Sequence, residues 1–546
     1  MLTWNRRVGS RFVPLRPAGP LRRCAAVLLV VAVVLAGCGR TTSALTPGPA
    51  VVSTSAGPVR GLGGGPDGGF RLFQGIPYAA APVGPLRWQP PVAPVPWTTV
   101  RDATKPGLRC IQDTLADPDF GRPTGEDCLN LNVWTPDGAA PVSPRPVLVW
   151  IHGGGFLNGS SDIYNARWLA TRGDIVVVTI NYRLGALGFL AHPALSADRD
   201  QLGNYGLADQ QAALRWVRDN ITAFGGDPAK VTVAGESAGA ISVCDHLVAP
   251  ESAGLFRGAI IQSGPCQVQA DLPAAERISV DYAARAGCAD VRSAARCLRA
   301  LPADRLITGP PYVRIGTNVL TGPVTGTSRL PAAPQTLLGR GVTARVPVLI
   351  GNTADEFSLF VAITYLRRKG LPAYRALLTD TFGAEAPLVA AHYPLDRYDG
   401  STALAYAAAV TDGVFACPID AYATGLAHRR SPAVYAYEFS DRTAPAPEPL
   451  RTLPFRVGAA HALELRYLFD IGGAPVLNAA QRTLADQMIA YWSRFVTTGA
   501  PEAPGQPAWP ALNPERPQRL SLQTDGPVLT GDFAEQHRCD FWASRG

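Results

Sequence analysis

Short runs of β-branched and other apolar residues recur along the chain, and a glycine follows each of them within two residues. The clearest of these runs are residues 147–151, 231–233 and 346–350. A continuous apolar run of this length, bounded by glycine, is typical of a strand that is buried on both faces of a parallel sheet. Residues 237–248 follow the second run with a helix-compatible pattern that begins with small residues. The pattern therefore predicts an α/β protein with a central, mostly parallel sheet flanked by helices.

The second apolar run leads into a G-x-S-x-G motif, from Gly235 to Gly239, with Ser237 at its centre. A sharp turn from strand to helix would expose the serine hydroxyl, and glycine on both sides avoids collisions with the neighbouring elements. A serine becomes a nucleophile only when a base lies within hydrogen-bond reach. Since the chain has 55 glycines, the motif also arises by chance. On its own it leaves a nucleophile and a polar turn equally open.

A glycine run, HGGG at residues 152–155, follows the first apolar run directly. Glycine lets the backbone approach a substrate, and fixed N–H donors stabilise the negative charge that acyl transfer builds on a carbonyl oxygen. The two motifs together resemble those of α/β-hydrolases, in which the residue after the serine supplies another donor. We therefore predict an oxyanion hole formed by Gly154, Gly155 and Ala238. His152 is interpreted as a structural residue that orients this loop.

The catalytic residues of α/β-hydrolases follow the order serine, acid, histidine. Four of the seven histidines lie far enough beyond Ser237, and they are His392, His428, His461 and His537. His428 and His537 lie in charged segments and are expected at the surface, and His392 ends a helix before a proline. His461 has small neighbours in the segment GAAHAL, so its ring has room to enter a crowded cleft. By elimination, His461 is predicted to be the base.

Two acidic residues, Asp355 and Glu356, follow the third apolar run. The loops beyond the carboxyl ends of parallel strands are where catalytic residues gather in an open sheet. The pattern does not choose between these two carboxylates. A third one, Glu236, directly precedes Ser237. We interpret it as a buried structural carboxylate that points away from the nucleophile, with a role in positioning water as the alternative.

Longer stretches of the chain resemble the type-B carboxylesterases, the family that includes the cholinesterases. These stretches occur in the family's order over roughly residues 50–545, and they are EDCLNLNVWTP (126–136), PVLVWIHGGGF (146–156), NYRLGALGFL (181–190), residues 203–239, LFRGAIIQSG (255–264) and GAAHALELRYLF (458–469). The resemblance implies an α/β-hydrolase fold whose large loop insertions form an active-site gorge. It also implies a Ser237-His461-Glu356 triad, because the family's acid is a glutamate.

Two departures from the family pattern bear on the pocket. Phe357 stands where many members have glycine, which affects the pocket wall near the acid. The loop between Cys110 and Cys128 is shorter than in cholinesterases and contains no tryptophan, whereas theirs carries the tryptophan that binds choline. Cation–π recognition of a quaternary ammonium group has no support at that position. The sequence therefore argues against a cholinesterase.

The predicted activity is hydrolysis of small to medium carboxylic esters through an acyl-enzyme on Ser237. One alternative is a catalytically inactive adhesion or binding member of the fold, although such proteins typically lose the serine or the histidine. Another is an acyltransferase acting on cell-envelope lipids. No cysteine or histidine cluster has zinc spacing, and no G-x-G-x-x-G follows a strand, so neither a metal nor an organic cofactor is expected. The expected partner is a small-molecule ester, and the sequence leaves the oligomeric state open.

The N-terminal segment has the pattern of an export signal. Residues 1–24 contain six arginines and no acidic residue, and the apolar run at 25–36 has signal-peptide length but is too short for an ordinary membrane span. The run ends in LAGC, which resembles a bacterial lipobox in which Cys38 receives lipid. We predict a lipoprotein-type signal at 1–37, a polar tether at 38–49 and one catalytic domain at 50–546. A cleaved signal with an incidental cysteine, giving a secreted protein, is the alternative.

Removal of residues 1–37 would lower the formal net charge from +7 to about +1. No basic patch therefore indicates a nucleic-acid partner, and a membrane is expected only through the lipid on Cys38.

The ten cysteines fit an exported protein. Two of them, Cys24 and Cys38, lie in the predicted signal and at the predicted lipid site. The resemblance implies three disulfides, Cys110–Cys128, Cys288–Cys297 and Cys417–Cys539. Cys244 and Cys266 remain as candidates for a fourth bridge.

Overall fold

Strands and helices alternate along most of the chain, as the spacing of the apolar runs predicts. The computed structural model describes residues 50–64, 68–113, 122–196, 198–316, 318–429 and 432–545. The strands are β1 (Val51–Ser53), β2 (Pro58–Arg60), β3 (Leu62–Gly63), β4 (Phe70–Pro77), β5 (Arg101–Asp102), β6 (Arg109–Cys110), β7 (Thr124–Gly125), β8 (Asn130–Pro136), β9 (Arg145–Ile151), β10 (Val176–Ile180), β11 (Gly226–Glu236), β12 (Gly258–Gln262), β13 (Ala270–Asp271), β14 (Val313–Ile315), β15 (Asn318–Leu320), β16 (Val324–Thr325), β17 (Val348–Thr353), β18 (Val434–Phe439), β19 (Arg519–Leu522) and β20 (Val528–Thr530).

The helices lie between these strands and after the last one. They are α1 (Arg167–Gly173), α2 (Gly185–Phe189), α3 (Tyr205–Asn220), α4 (Ala238–Val248), α5 (Leu272–Arg285), α6 (Ala294–Ala300), α7 (Pro334–Gly339), α8 (Ser358–Arg368), α9 (Tyr374–Phe382), α10 (Ala386–His392), α11 (Thr402–Val410), α12 (Cys417–His428), α13 (Glu448–Arg451), α14 (Ala479–Thr498), α15 (Phe533–Gln536) and α16 (Cys539–Ala543). A π-helical turn, Thr411–Ala416, joins α11 to α12.

Eleven strands form the main sheet, in the order β20-β19-β18-β17-β12-β11-β9-β10-β8-β4-β3. The seven strands from β19 to β10 are parallel to one another, and the strands at both edges are antiparallel. Smaller sheets pair β1 with β2 and β5, β6 with β7, β13 with β16, and β14 with β15. The main sheet is therefore mostly parallel at its centre, as predicted.

The register of the central strands brings four strand ends to one edge. Gly235 on β11 pairs with Ile151 on β9 and with Ile261 on β12. Gln262, at the end of β12, pairs with Gly351 on β17. Because parallel strands share their direction, the loops that follow β9, β11, β12 and β17 all begin at this edge.

Helices cover both faces of the sheet. Along β9, the side chains of Val147, Val149 and Ile151 join one core cluster with apolar residues of α3 and α4. Leu148 and Trp150 join the opposite cluster with residues of α1 and α14. This alternation follows from the two-residue period of a strand, and burial on both sides explains why the whole run is apolar.

The third apolar run departs from its predicted end. It was expected to close at Gly351, but β17 extends through Gly351 to Thr353. A β-carbon on Gly351 would lie 2.4 Å from the Tyr437 ring on β18. The glycine therefore makes room for a neighbouring aromatic side chain and does not end the strand.

One long helical segment, Thr402–His428, has the length and composition of a membrane span, but 67% of its most apolar window is buried inside the protein. This burial is what a core helix of a folded domain shows.

The described chain contains four disulfides: Cys110–Cys128, Cys244–Cys266, Cys288–Cys297 and Cys417–Cys539. They include the Cys244–Cys266 bridge, which the sequence left open. Cys24 and Cys38 lie outside the described residues.

Candidate active site

Ser237 occupies a strained turn between β11 and α4. Its φ of 56° and ψ of −123° are unusual for a residue with a side chain, and its N–H donates to the carbonyl of Gln262 at 2.9 Å. A β-carbon on Gly235 would lie 2.5 Å from Gly239, and one on Gly239 would lie 2.0 Å from the carbonyl oxygen of Ile151. Both glycines are therefore sterically required. The turn leaves the serine half-buried at the N-terminus of α4.

The HGGG loop packs directly against this turn. A β-carbon on Gly153 would lie 2.7 Å from Oε2 of Glu236 and 3.1 Å from Cβ of Ser237. Gly154 and Gly155 have φ values of 105° and 62°, a region that favours glycine. The loop therefore lies against the serine turn, and α4 begins at Ala238 directly after that turn.

The side chain of His152 stabilises the HGGG loop through contacts inside the protein. Its Nδ1 lies 2.8 Å from the carbonyl oxygen of Gly153, and its ring stacks on Tyr182 at 4.4 Å. The Tyr182 hydroxyl donates to the His152 carbonyl at 2.9 Å. Burial lowers the pKa of His152 to about 4, so the ring is neutral near neutral pH. These contacts agree with the structural role expected for it.

The structure distinguishes the roles of Asp355 and Glu356, the two acids between which the sequence pattern does not choose. Glu356 is fully buried, and its Oε2 lies 2.5 Å from Nδ1 of His461. Its Oε1 accepts from the N–H of Thr353 at 2.8 Å. Asp355 instead accepts from Arg442 at 2.9 Å and from the N–H of Ala459 at 2.9 Å. Glu356 therefore pairs with the histidine, while Asp355 ties the two loops together.

A second carboxylate approaches the other nitrogen of the same ring. Oε1 of Glu236 lies 3.0 Å from Nε2 of His461, and both side chains are almost fully buried. Glu236 is buried, as expected, and its contact with His461 was not predicted from the sequence. The strained turn directs its side chain under the HGGG loop and toward the imidazole.

A third buried carboxylate, Glu464, was not singled out from the sequence. Its Oε1 accepts from Gln262 at 3.2 Å, and Gln262 in turn accepts from the indole N–H of Trp492 at 2.9 Å. The signal was an acidic residue inside the apolar segment ALELRYLF, where a solvated position is improbable on pattern alone.

The three carboxylates and the imidazole shift one another's protonation. Burial lowers the pKa of His461, but Glu236 and Glu356 together raise it to about 9. Burial raises the pKa of Glu236 to about 7, with His461 opposing the shift and Glu356 adding to it. Burial also raises the pKa of Glu464 to about 8, and the charges of Glu236 and Glu356 contribute. Burial and mutual repulsion therefore make Glu236 and Glu464 weaker acids than an exposed glutamate.

Two aromatic side chains pack beside the ring of His461. Phe360 and Phe415 lie 5.1 Å and 5.5 Å from its ring, centroid to centroid. Phe357, the residue that departs from the family pattern, is buried against Phe360, and its N–H donates to Thr411 at 2.9 Å. The hydrogen bond to Thr411 fixes the loop that carries Glu356. The ring of Phe357 supports Phe360, which packs beside His461.

Two other candidate histidines, His392 and His428, are exposed. His537, which was also expected at the surface, is buried. Its Nδ1 lies 2.6 Å from Asp412, and its Nε2 lies 2.6 Å from Glu438. The charged neighbours in its segment misled the interpretation, because the ring itself carries a charge that these carboxylates neutralise.

Within the described residues, no group of three or more His, Cys, Asp and Glu side chains is placed to hold a metal ion.

The mostly parallel sheet, the serine turn after β11 and the glycine loop after β9 define the class of α/β-hydrolases. The model of the Carboxylesterase family matches residues 48–542, and the chain belongs to this family. It is 35% identical over 509 residues to an acylcarnitine hydrolase of Mus musculus, covering 87% of this chain and 86% of that one. It is 34% identical to a cocaine esterase of Homo sapiens, covering 88% of each chain.

A solved structure, a thermophilic PNB esterase, matches with a TM-score of 0.75 and 30% identity over 90% of this chain and 99% of that one. The α/β-hydrolase fold is thereby confirmed, and the protein is a carboxylic-ester hydrolase. Four disulfides further indicate an exported protein, because such bridges persist in oxidising compartments.

Proposed function

We propose that the protein hydrolyses small to medium carboxylic esters through an acyl-enzyme on Ser237, with His461 as the base and Glu356 as the acid that orients it. The observation that carries this proposal is the 2.5 Å contact between Glu356 and Nδ1 of His461 at the edge where Ser237 turns. With Nδ1 engaged by Glu356, Nε2 is the ring nitrogen left to act as the base, and Oε1 of Glu236 also lies 3.0 Å from it. A Ser-His-acid triad needs a carboxylate on one ring nitrogen of its base, and the contact between Glu356 and His461 supports the proposal in that respect.

In the proposed reaction, Nε2 of His461 takes the hydroxyl proton as Oγ of Ser237 attacks the ester carbonyl carbon. The N–H groups of Gly154, Gly155 and Ala238 donate to the resulting oxyanion. Collapse of the tetrahedral species breaks the ester C–O bond, and His461 returns the proton to the leaving alcohol. Water, deprotonated by the same histidine, then releases the acid and restores Ser237. Glu356 stabilises the imidazolium in both halves of the cycle.

The test compares wild type with Ser237→Ala on p-nitrophenyl esters from acetate to dodecanoate. We expect kcat to fall by about 10⁴-fold or more in the variant, because the nucleophile of a triad accounts for most of the catalysis. The acyl-chain length with the highest wild-type kcat/KM reports the size of the pocket.

Ser196→Ala is the matched control, since Ser196 is also half-buried and its hydroxyl accepts a local bond from the backbone N–H of Asp198. It should retain wild-type activity. Ester turnover by Ser237→Ala at the wild-type rate would reject Ser237 as the nucleophile.

We also propose that residues 1–37 are a lipoprotein-type signal, that Cys38 carries lipid, that 38–49 are a tether and that 50–546 form one catalytic domain. Support comes from the LAGC segment and from the start of the family match at residue 48. The signal and Cys38 lie outside the described residues, so this proposal rests on the sequence.

A further inference from the structure

The backbone of Gly153 and Gly154 packs against the segment that follows it in the chain, residues 158–159, which we call the backing segment. A β-carbon on Gly154 would lie 2.2 Å from the carbonyl oxygen of Asn158. One on Gly159 would lie 2.4 Å from Nδ1 of His152 and 2.5 Å from the carbonyl oxygen of Gly153. The carbonyl of Gly154 also accepts from the N–H groups of Leu157 and Asn158. Residues 158–159 thus pack directly against the ring of His152 and the backbone of Gly153 and Gly154.

Gln112 holds this backing segment from the other side. Its Oε1 accepts from the N–H of Gly159 at 2.9 Å, and its Nε2 donates to the carbonyl of the same residue at 2.9 Å. The Nε2 also donates to the carbonyl of Cys110 at 3.0 Å. One carboxamide therefore satisfies both backbone groups of Gly159. Gln112 is only 5% exposed, so water does not compete readily for these bonds.

The segment around Gln112 is itself anchored at several points. Cys110 is joined to Cys128 by a disulfide. Arg109 pairs with Asp162 at 3.0 Å, and both side chains are buried. Asp162 follows Gly159 by three residues, so the ion pair fixes the far end of the loop to β6 (Arg109–Cys110), two residues before Gln112. The disulfide and the ion pair thus hold in place the segment that carries the Gln112 carboxamide.

We propose that Gln112 is a positioning residue for the oxyanion donors: it fixes Gly159, and through Gly159 the backbone of Gly153 and Gly154. This inference rests on the proposed function. The N–H donors stabilise charge that exists in the tetrahedral state and not in the bound ester, so their placement affects kcat more than KM. When a donor is displaced by a fraction of a bond length, its hydrogen bond to the oxyanion is weakened but not lost.

The experiment uses Gln112→Met, which keeps the side-chain length and removes all three hydrogen bonds. We expect kcat to fall about 10- to 100-fold with KM nearly unchanged, less than the ~10²–10³ that loss of a whole oxyanion donor costs. The second readout is inhibition by an alkyl trifluoromethyl ketone, to which a serine adds to form a stable oxyanion. Its Ki should rise by the same factor as kcat/KM falls. The Ki of the matching methyl ketone, which binds without forming that oxyanion, should not change.

Gln481→Met is the matched control. Gln481 is also buried, and its carboxamide likewise accepts from a backbone N–H, that of Asn478 at 3.0 Å, and donates to a backbone carbonyl, that of Thr443 at 2.9 Å. Its loss should lower thermal stability and leave the ratio of the two ketone Ki values at the wild-type level.

If Gln112→Met does not fold, Gln112→Glu serves instead, because it keeps the acceptor for the Gly159 N–H and loses the donated bonds. The Ki of the trifluoromethyl ketone should again rise while that of the methyl ketone stays unchanged.

A wild-type ketone ratio in a folded Gln112 variant would overturn the proposal, as would a loss confined to KM. A failure of the proposed function looks different. In that case the trifluoromethyl ketone would bind the wild-type enzyme no more tightly than the methyl ketone, and Ser237→Ala would bind both as wild type does.

Discussion

His461 has a carboxylate on each ring nitrogen, Glu356 on Nδ1 and Glu236 on Nε2. A base must lose its proton before it can accept one from a serine, and two carboxylates oppose that loss. The raised pKa of Glu236, about 7, offers a way around the conflict. When Glu236 is protonated, its charge no longer retains the proton on His461. The imidazole then becomes a competent base at lower pH than the fully ionised cluster would allow.

Glu236→Gln should shift the acid limb of the kcat/KM profile to lower pH. The sign follows from the charge: a nearby carboxylate stabilises the imidazolium and raises the pKa of His461, so its removal lowers that pKa. The pH profile of kcat/KM with p-nitrophenyl butyrate measures the shift.

Glu464→Gln serves as comparison for this shift, because Glu464 contributes to the same raised pKa of His461 but less than Glu236 does. Its profile should move in the same direction by a smaller amount. A Glu236→Gln profile that stays in place or moves to higher pH would show that Glu236 does not govern the protonation of His461.

At the residue scale, sterically demanding positions could be predicted and side-chain directions could not. Gly235 and Gly239 are fixed by the turn, because a β-carbon at either one collides with backbone. The choice between Asp355 and Glu356 needed the family resemblance, since both follow the same strand. The contact between Glu236 and His461 was not predicted, because the direction of a side chain beside a positive-φ turn depends on the neighbouring loop, which the local sequence does not encode.

At the scale of elements, His537 connects the C-terminal helices to the π-helical turn and to β18. The ring bridges Asp412, on the π-helical turn, and Glu438, on β18. A β-carbon on Gly413 would lie 2.7 Å from the Trp542 ring of α16, so this helix packs directly on the same turn. The turn also carries Thr411, which accepts from Phe357 beside the acid. π-helical turns are frequent at functional sites, and this one connects the chain end to the acid loop.

His537→Gln should lower the free energy of unfolding by about 3 kcal/mol near neutral pH, since it leaves Asp412 and Glu438 buried without the cation between them. Burial lowers the pKa of His537, but hydrogen bonds to Asp412 and Glu438 raise it to about 10. The stabilisation is therefore full below the unfolded-state pKa of about 6.5 and is lost as pH rises through about 10. Thermal melting across this range measures both effects.

His428→Gln is the control for this prediction, because His428 lies exposed at the end of α12. It should melt as wild type does at every pH. If His537→Gln and His428→Gln gave the same melting curves, the buried bridge would contribute nothing measurable.

The central strands could be located from the sequence because burial on both faces makes them continuous apolar runs. The antiparallel edge strands β3, β4 and β20 carry mixed patterns with half-buried or exposed positions, so no run marked them. Gly351 was read as a strand end because glycine usually interrupts strands. Only the position of Tyr437 on the neighbouring strand explains why it lies inside β17.

At the scale of the whole molecule, the four disulfides and the proposed signal describe an exported enzyme. The proposal for Cys38 predicts that the mature chain is held at the membrane by lipid. Wild type expressed in a bacterium that processes lipoproteins should partition into the detergent phase and carry an acyl mass on its N-terminal peptide. Cys38→Ser should be found in the aqueous phase with the same specific activity. Wild type with an unmodified N-terminus would reject the lipid anchor and leave the secreted form.

The central claim is a covalent acyl intermediate on Ser237. The most direct measurement mixes wild-type enzyme rapidly with excess p-nitrophenyl ester, records the release of p-nitrophenol, and determines the mass of the acid-quenched protein. The account predicts a burst of p-nitrophenol stoichiometric with enzyme, and an acyl group on the peptide that contains Ser237. Steady turnover with no burst and no added mass, or an acyl group on another residue, would contradict it.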